Sequence, residues 1–203
     1  MHTNSPSTDR SISSPYSAEC LERKLQNKFA LQKELGWPPE EKRAMVFIPT
    51  ELSEEHGGKL LKALLPGLLE LPIELLILGK GTKEFGTLLS RIAQQESHRI
   101  AIVPDENETM RKMYAAADMA LFLAELTNAP ELSLCLQYGV IPIAPTTDTL
   151  ENYNPNQERG CAFLYDSLSP WKCFGALVRA LEAYRFPFDW RNIQKEAMHS
   201  ASR

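Results

Sequence analysis

Apolar residues fall into short continuous runs separated by longer amphipathic stretches, and the two patterns alternate along the chain. Ala44 to Ile48, Ile73 to Leu78, Arg99 to Val103, Met119 to Leu123, Val140 to Ala144 and Cys161 to Leu164 have strand length, and most are apolar throughout, as strands buried on both faces must be. Between them the spacing predicts helices over Glu54 to Leu71, which Pro66 must bend or divide, over Lys83 to Gln95 and over Glu106 to Ala117. Two more finish the chain, Pro170 to Tyr184 after a capping Ser169, and Pro187 to Met198. Near the start, a helix from Ser17 to Leu35 carries Leu21, Leu25, Phe29 and Leu35 as its apolar stripe, and Gly36 with Trp37-Pro38-Pro39 stops it. Strands alternating with helices predict an α/β fold with a doubly wound, Rossmann-like parallel sheet covered on both faces.

The stretch Asp118 to Ala144 organises the rest. It reads strand, loop, helix, strand, so its crossover should be right-handed and its strands parallel. Asn128 suits a helix N-cap, Pro130 the first turn and Glu131 a near capping box. Leu132, Cys135 and Leu136 give the inward spacing, and Gly139 is placed to end the helix in a left-handed conformation. Ligands of open parallel sheets collect beyond the carboxyl ends of the strands, where a helix N-terminus favours anions. The loop Ala124 to Asn128 is therefore the first place to look for a site.

Length and composition narrow the class. A chain of 203 residues can bury one substantial core; residues 1–15, rich in Ser, Thr and Pro, are expected to be a flexible arm ahead of a domain over 16–203. A net charge of -4 leaves no basic footprint, which argues against nucleic acid and anionic membranes as partners. No apolar run approaches the ~20 residues that span a bilayer and no apolar signal core opens the chain, so a cytoplasmic protein is expected. Cys20, Cys135, Cys161 and Cys173 lack metal-ligand spacing and read as reduced thiols; no metal and no cofactor is called for.

Candidate chemistry gathers in loops. Gly79-Lys80-Gly81 could cradle a phosphate with its amides and ammonium, or simply make a tight strand-to-helix turn. His56-Gly57-Gly58-Lys59 suits either a close approach of backbone to ligand or a glycine-rich helix entry. Asp105, Glu106 and Glu108 sit where a helix dipole favours acids, while His98 lies in a polar turn. Glu125 and Glu131 flank the central loop, where carboxylates could hold sugar hydroxyls, and Thr146-Thr147-Asp148-Thr149 follows the next strand on the same edge. No Ser/His/Asp or Cys/His arrangement can be assembled, and no catalytic residue is assigned.

Tyr16-Ser17-Ala18-Glu19 with Lys24, Asn27 to Gly36, Met113-Tyr114-Ala115-Ala116-Ala117-Asp118-Met119, Gln137 to Ile143, and the tail Ala176 to Leu181 through Trp190 to Met198 form a further set of segments. Together they resemble the C-terminal domain of bacterial glycogen synthases and plant starch synthases. The similarity runs in order from about Ser7 to Met198. It implies one half of a two-domain glycosyltransferase of the GT-B type, in which the C-terminal domain holds ADP-glucose and an N-terminal domain brings much of the acceptor site. The implied reaction transfers glucose from ADP-glucose to an α-1,4-glucan. The implied partners are ADP-glucose or ADP, an α-glucan, and either a separate N-terminal domain or a second copy.

The resemblance also places degenerate site positions. The family's Arg-x4-Lys, which neutralises the diphosphate, aligns with Glu51 and His56. Its Glu-Pro-Cys-Gly-Leu-x-Gln is replaced around Asn128 to Leu132 with a one-residue deletion, and its Thr-Gly-Gly-Leu becomes Thr147-Asp148-Thr149-Leu150. Asp105 falls near a Tyr that would stack on adenine. With Gly57, Gly79, Gly81, Glu125 and Glu131 these are the candidate nucleotide-sugar positions. Two readings follow: a donor-side domain that is inactive when isolated, or a non-catalytic pseudo-glycosyltransferase module that binds a glycan, a nucleotide or a partner protein.

Overall fold

In the computed structural model, which describes residues 5–126 and 129–201, six strands form one all-parallel sheet in the order β3-β2-β1-β4-β5-β6. They are β1 (Ala44–Ile48), β2 (Ile73–Leu78), β3 (Ile100–Val103), β4 (Met119–Leu121), β5 (Ile141–Pro145) and β6 (Phe163–Tyr165). The helices are α1 (Lys24–Glu34), α2 (Gly58–Glu70), α3 (Lys83–Gln95), α4 (Asn107–Ala116), α5 (Pro130–Gln137), α6 (Pro170–Tyr184) and α7 (Pro187–Ser200). After β3 the chain returns to the middle of the sheet, and β4 pairs with β1 through Val46↔Met119 and Phe47↔Ala120. That reversal is the topological switch point of a doubly wound sheet.

Strand side chains alternate between two cores. Val46, Ile48, Leu75, Ile77, Leu121 and Ile143 pack with α2, α3 and α6 on one face, while Met45, Phe47, Leu76, Leu78, Ala120 and Phe122 face α1, α4 and α5 on the other. Proline at the first turn opens α5, α6 and α7, where its missing N–H costs nothing.

Several element bounds differ from the sequence expectation. The helix after β1 starts at Gly58 instead of Glu54, because the Ser53–His56 turn closes on itself, His56 N–H donating to the Ser53 hydroxyl at 3.1 Å and Gly58 N–H to the Ser53 carbonyl at 2.9 Å. Pro66 lies inside that helix without dividing it, while Leu64, Leu65 and Leu68 stay buried on its inner face. The last strand begins at Phe163, two residues later than Cys161, which is held by a bond from its N–H to the Glu151 carbonyl at 3.1 Å.

The N-terminal segment departs further. Residues 5–15, expected as a flexible arm, lie against the body: Ile12 and Asp9 are buried, Tyr138 donates its hydroxyl to Asp9, and Ser14 and Asn27 exchange two hydrogen bonds of 2.9 and 2.8 Å. A short 3-10 turn (Leu21–Arg23) precedes α1; of the predicted stripe Leu21 is buried, while Leu25, Phe29 and Leu35 are only partly so. Its buried face is Lys24, Asn27, Lys28, Leu31 and Gln32. Polar side chains can occupy this face because each finds partners: Asn27 in the N-terminal segment, Lys24 at the end of α4, and Lys28 and Gln32 at the amino ends of the strands. Lys28 Nζ reaches Asp118 at 2.7 Å, the Arg43 carbonyl at 2.6 Å, the Glu41 carbonyl at 3.0 Å and the Tyr184 hydroxyl at 2.9 Å. Gln32 Nε2 donates to Glu74 at 2.9 Å.

Lys24 donates to the Tyr114 and Ala115 carbonyls at 3.0 and 2.9 Å, closing the C-terminal end of α4. Burial pushes its ammonium down to about 7, against the opposing charge of Asp118. Above that value the folded chain holds fewer protons here than the unfolded chain, whose lysine titrates near its ordinary value, so raising the pH adds stability. The denaturation midpoint should therefore climb from about pH 7 to about pH 8.5, where thiols of the unfolded chain begin to ionise. Lys24→Met should flatten that climb; a wild-type midpoint that falls across this window would contradict the assignment.

Candidate functional site

The carboxyl ends of β1 to β5 bring most of the predicted site residues to one edge of the sheet. After β1 the chain runs through Glu51, Ser53 and His56 to Gly57; after β2 through Gly79, Lys80 and Gly81; after β3 to Asp105; after β4 to Glu125; after β5 to Thr147, Asp148 and Thr149. The switch point between β1 and β4 lies within this edge, which makes it the crevice in which such sheets bind ligands.

The glycines pack against protein. Gly57 has φ +76, and a Cβ there would stand 2.6 Å from Leu123 Cβ, so the loops after β1 and β4 touch at this point. A Cβ on Gly58 would meet the Phe85 ring at 2.2 Å. Gly81 has φ +146 and lies so close to the Leu52 carbonyl that a Cβ would fall 2.1 Å from that oxygen. Leu52 N–H also donates to the Lys80 carbonyl at 3.1 Å and Thr82 N–H to the Leu52 carbonyl at 3.1 Å, lacing the β1 and β2 loops together. The Gly79-Lys80-Gly81 turn is thus fixed by its neighbours; its glycines serve the close approach of two backbones.

The charges at the rim are mostly acidic. Lys80 Nζ lies 2.9 Å from Asp105 Oδ2, with both side chains about half exposed. The Asp105 hydrogen bond and charge, together with the charges of Glu51 and Glu131, hold the Lys80 ammonium above its ordinary value. His56 is exposed, and its Nδ1 sits 3.0 Å from the Ser53 hydroxyl. Glu51, His56, Lys80, Asp105 and Glu131 therefore gather around the crevice, one permanent cation against three carboxylates.

Other predicted residues do not join them. Thr147 and Thr149 share a hydroxyl contact of 3.1 Å, and Thr149 lines a separate cleft of about 370 Å³ with Glu151, Cys161, Lys195, Glu196 and His199. Glu125 is exposed in the loop after β4. α5 begins at Pro130 with Ala129 in the cap position and no side-chain cap bond; the expected cap, Asn128, lies outside the described residues. Glu131 does occupy the first turn of α5, as an acid favoured there by the helix dipole.

Three of the four thiols are buried. Burial raises Cys135 and Cys161, and pushes Cys173 up to about 12. Among the described residues no group of three or more His, Cys, Asp or Glu side chains could hold a metal, and no helix is long and apolar enough to cross a membrane.

The Lys80–Asp105 pair escaped the sequence reading. Lys80 and Asp105 both follow strands, but their contact becomes visible only once β2 and β3 are known to be neighbours.

No family model matches the chain. It is 33% identical over 202 residues to Glycogen synthase 1 of Synechocystis, covering 96% of this chain and 42% of that protein. It is 32% identical over 201 residues to the glycogen synthase of Caldicellulosiruptor bescii, covering 95% of this chain and 42% of that one. The chain thus spans less than half the length of these curated relatives. Its fold matches the catalytic domain of starch synthase IV from Arabidopsis thaliana, solved with ADP and acarbose, with a TM-score of 0.84 at 22% identity over 98% of this chain and 47% of that one. The parallel six-stranded sheet with flanking helices is that of a GT-B glycosyltransferase half.

Proposed function

We propose that this chain, which is homologous to the C-terminal domain of the glycogen synthase-type glycosyltransferases, supplies the donor side of glucose transfer from a nucleotide sugar to an α-glucan. One observation carries the reading: the sheet reverses between β1 and β4, and the loops that follow those strands meet at the resulting crevice through Gly57 and Leu123. A nucleoside diphosphate sugar such as ADP-glucose would lie there. The acceptor glucan would be presented by a facing N-terminal domain or by a second copy, and the work would be done in the cytoplasm. The rival reading, a non-catalytic module, is not favoured by relatives that are glycogen synthases.

The isolated chain is expected to transfer no glucose. Transfer depends on holding donor and acceptor together in a closed, water-excluding cleft, and one wall of that cleft cannot supply it. Donor affinity should also be low. Glu51 and Glu131 repel phosphate, and Lys80 is already engaged by Asp105.

Titration with ADP and ADP-glucose, followed by NMR of backbone amides, tests the proposal. Saturation in the millimolar range is expected, with shifts centred on Glu51–Gly58 and Gly79–Gly81. Shifts that are absent at tens of millimolar, or that centre on another face, would sink the donor-side reading.

A further inference from the structure

We propose that Lys80 is the cation that meets the donor's diphosphate in this chain, and that Asp105 holds it in reserve. The inference rests on the donor-side reading and concerns which residue neutralises the phosphates.

The loop after β1 offers no permanent cation at the positions the resemblance assigns. Glu51 is an exposed acid, and His56 turns its Nδ1 to Ser53 at 3.0 Å. Lys24 and Lys28 are buried under the opposite edge of the sheet, and Lys62 is held by Glu84 at 2.7 Å and Glu54 at 3.4 Å. Lys80 is placed differently. Its backbone carbonyl accepts from Leu52 N–H and the next residue packs on the Leu52 carbonyl, so its stem starts from a loop fastened to the flank of the crevice. Its ammonium faces Asp105 at 2.9 Å and feels Glu51 and Glu131 as well.

Three carboxylates around one ammonium leave the rim with a net charge that repels anions. An exposed pair such as Lys80–Asp105 is weak, so exchanging the carboxylate for a phosphate oxygen, a stronger charge-assisted acceptor, costs little. The exchange strips Asp105 of its partner beside the new anion, which keeps affinity low. Asp105 thus sets the strength of the grip, and Lys80 provides it.

Titrations of the whole chain with ADP and with inorganic pyrophosphate separate these roles. Asp105→Asn frees the ammonium and removes one repelling charge; both ligands should bind about fivefold tighter. Lys80→Met should weaken both about fivefold or more, and Lys42→Met, which deletes an exposed lysine just ahead of β1 at the opposite edge of the sheet, should stay within about twofold of wild type. A gain in Asp105→Asn cannot arise from misfolding, which protects the test from a poorly folded Lys80 variant. Unchanged or weaker binding in Asp105→Asn, or equal losses in Lys80→Met and Lys42→Met, would overturn the proposal while wild-type shifts in the crevice still upheld the donor-side reading. Binding by none of the variants at tens of millimolar would overturn both.

Discussion

Replacing Asp118 by alanine should destabilise the fold by about 3–5 kcal/mol. Asp118 Oδ2 accepts from Lys28 Nζ at 2.7 Å and from Met45 N–H at 2.8 Å, with the Lys28 side chain 2% exposed. Removing the carboxylate leaves the buried ammonium hydrogen-bonded only to carbonyls and the Tyr184 hydroxyl, with Glu74 the one carboxylate whose charge still reaches it among the described residues, and orphans the Met45 N–H in β1. Burial has already driven the Tyr184 phenol far above its ordinary value, so it cannot supply the missing negative charge. Urea denaturation measures the effect. A loss below about 1 kcal/mol would mean that the pair behaves like a surface contact. The double variant Lys28→Met with Asp118→Leu should recover much of the loss, since a buried pair replaced by apolar groups is often close to neutral.

The second large effect lies at the ligand edge. Gly81→Ala should destabilise by about 2–4 kcal/mol, combining backbone strain at positive φ with a clash that only backbone movement relieves. The added Cβ would stand 2.1 Å from the Leu52 carbonyl oxygen, the atom that also accepts from Thr82 N–H. Gly36→Ala provides the comparison, because its φ is +73 with nothing within 4 Å of the added Cβ, and a cost of about 1 kcal/mol is expected from conformation alone. Equal thermal shifts for the two variants would show that the Leu52 contact is not tight.

The architecture was legible because it is written in burial. Ile73 to Leu78 and Lys83 to Gln95 coincide with β2 and α3, whose apolar periods leave no competing assignment. The N-terminal region misled for a physical reason. Lys24, Asn27, Lys28 and Gln32 look like a solvated face, and Leu25 and Phe29 like a core stripe, until the partners of those polar groups are seen, and Asp118, Glu74 and the α4 carbonyls are all distant in sequence. Local pattern cannot anticipate a buried polar face when its charged members are satisfied largely by groups distant in sequence. The site was legible as a place and less so as an arrangement. Loops after parallel strands had to share one edge, yet the pairing of Lys80 with Asp105, and the turning of Thr149 toward α7, depend on side-chain reach.

The docked N-terminal segment has a consequence for the order in which the chain can fold. Tyr16 donates to the Tyr138 carbonyl across 122 residues, and Tyr138 donates to Asp9 across 129. Closing loops of that length carries an entropy cost that the contacts repay only after β4, α5 and β5 have assembled. The segment from Asp9 to Tyr16 is therefore expected to fasten last, and its release to open the seam between α1 and α4 early.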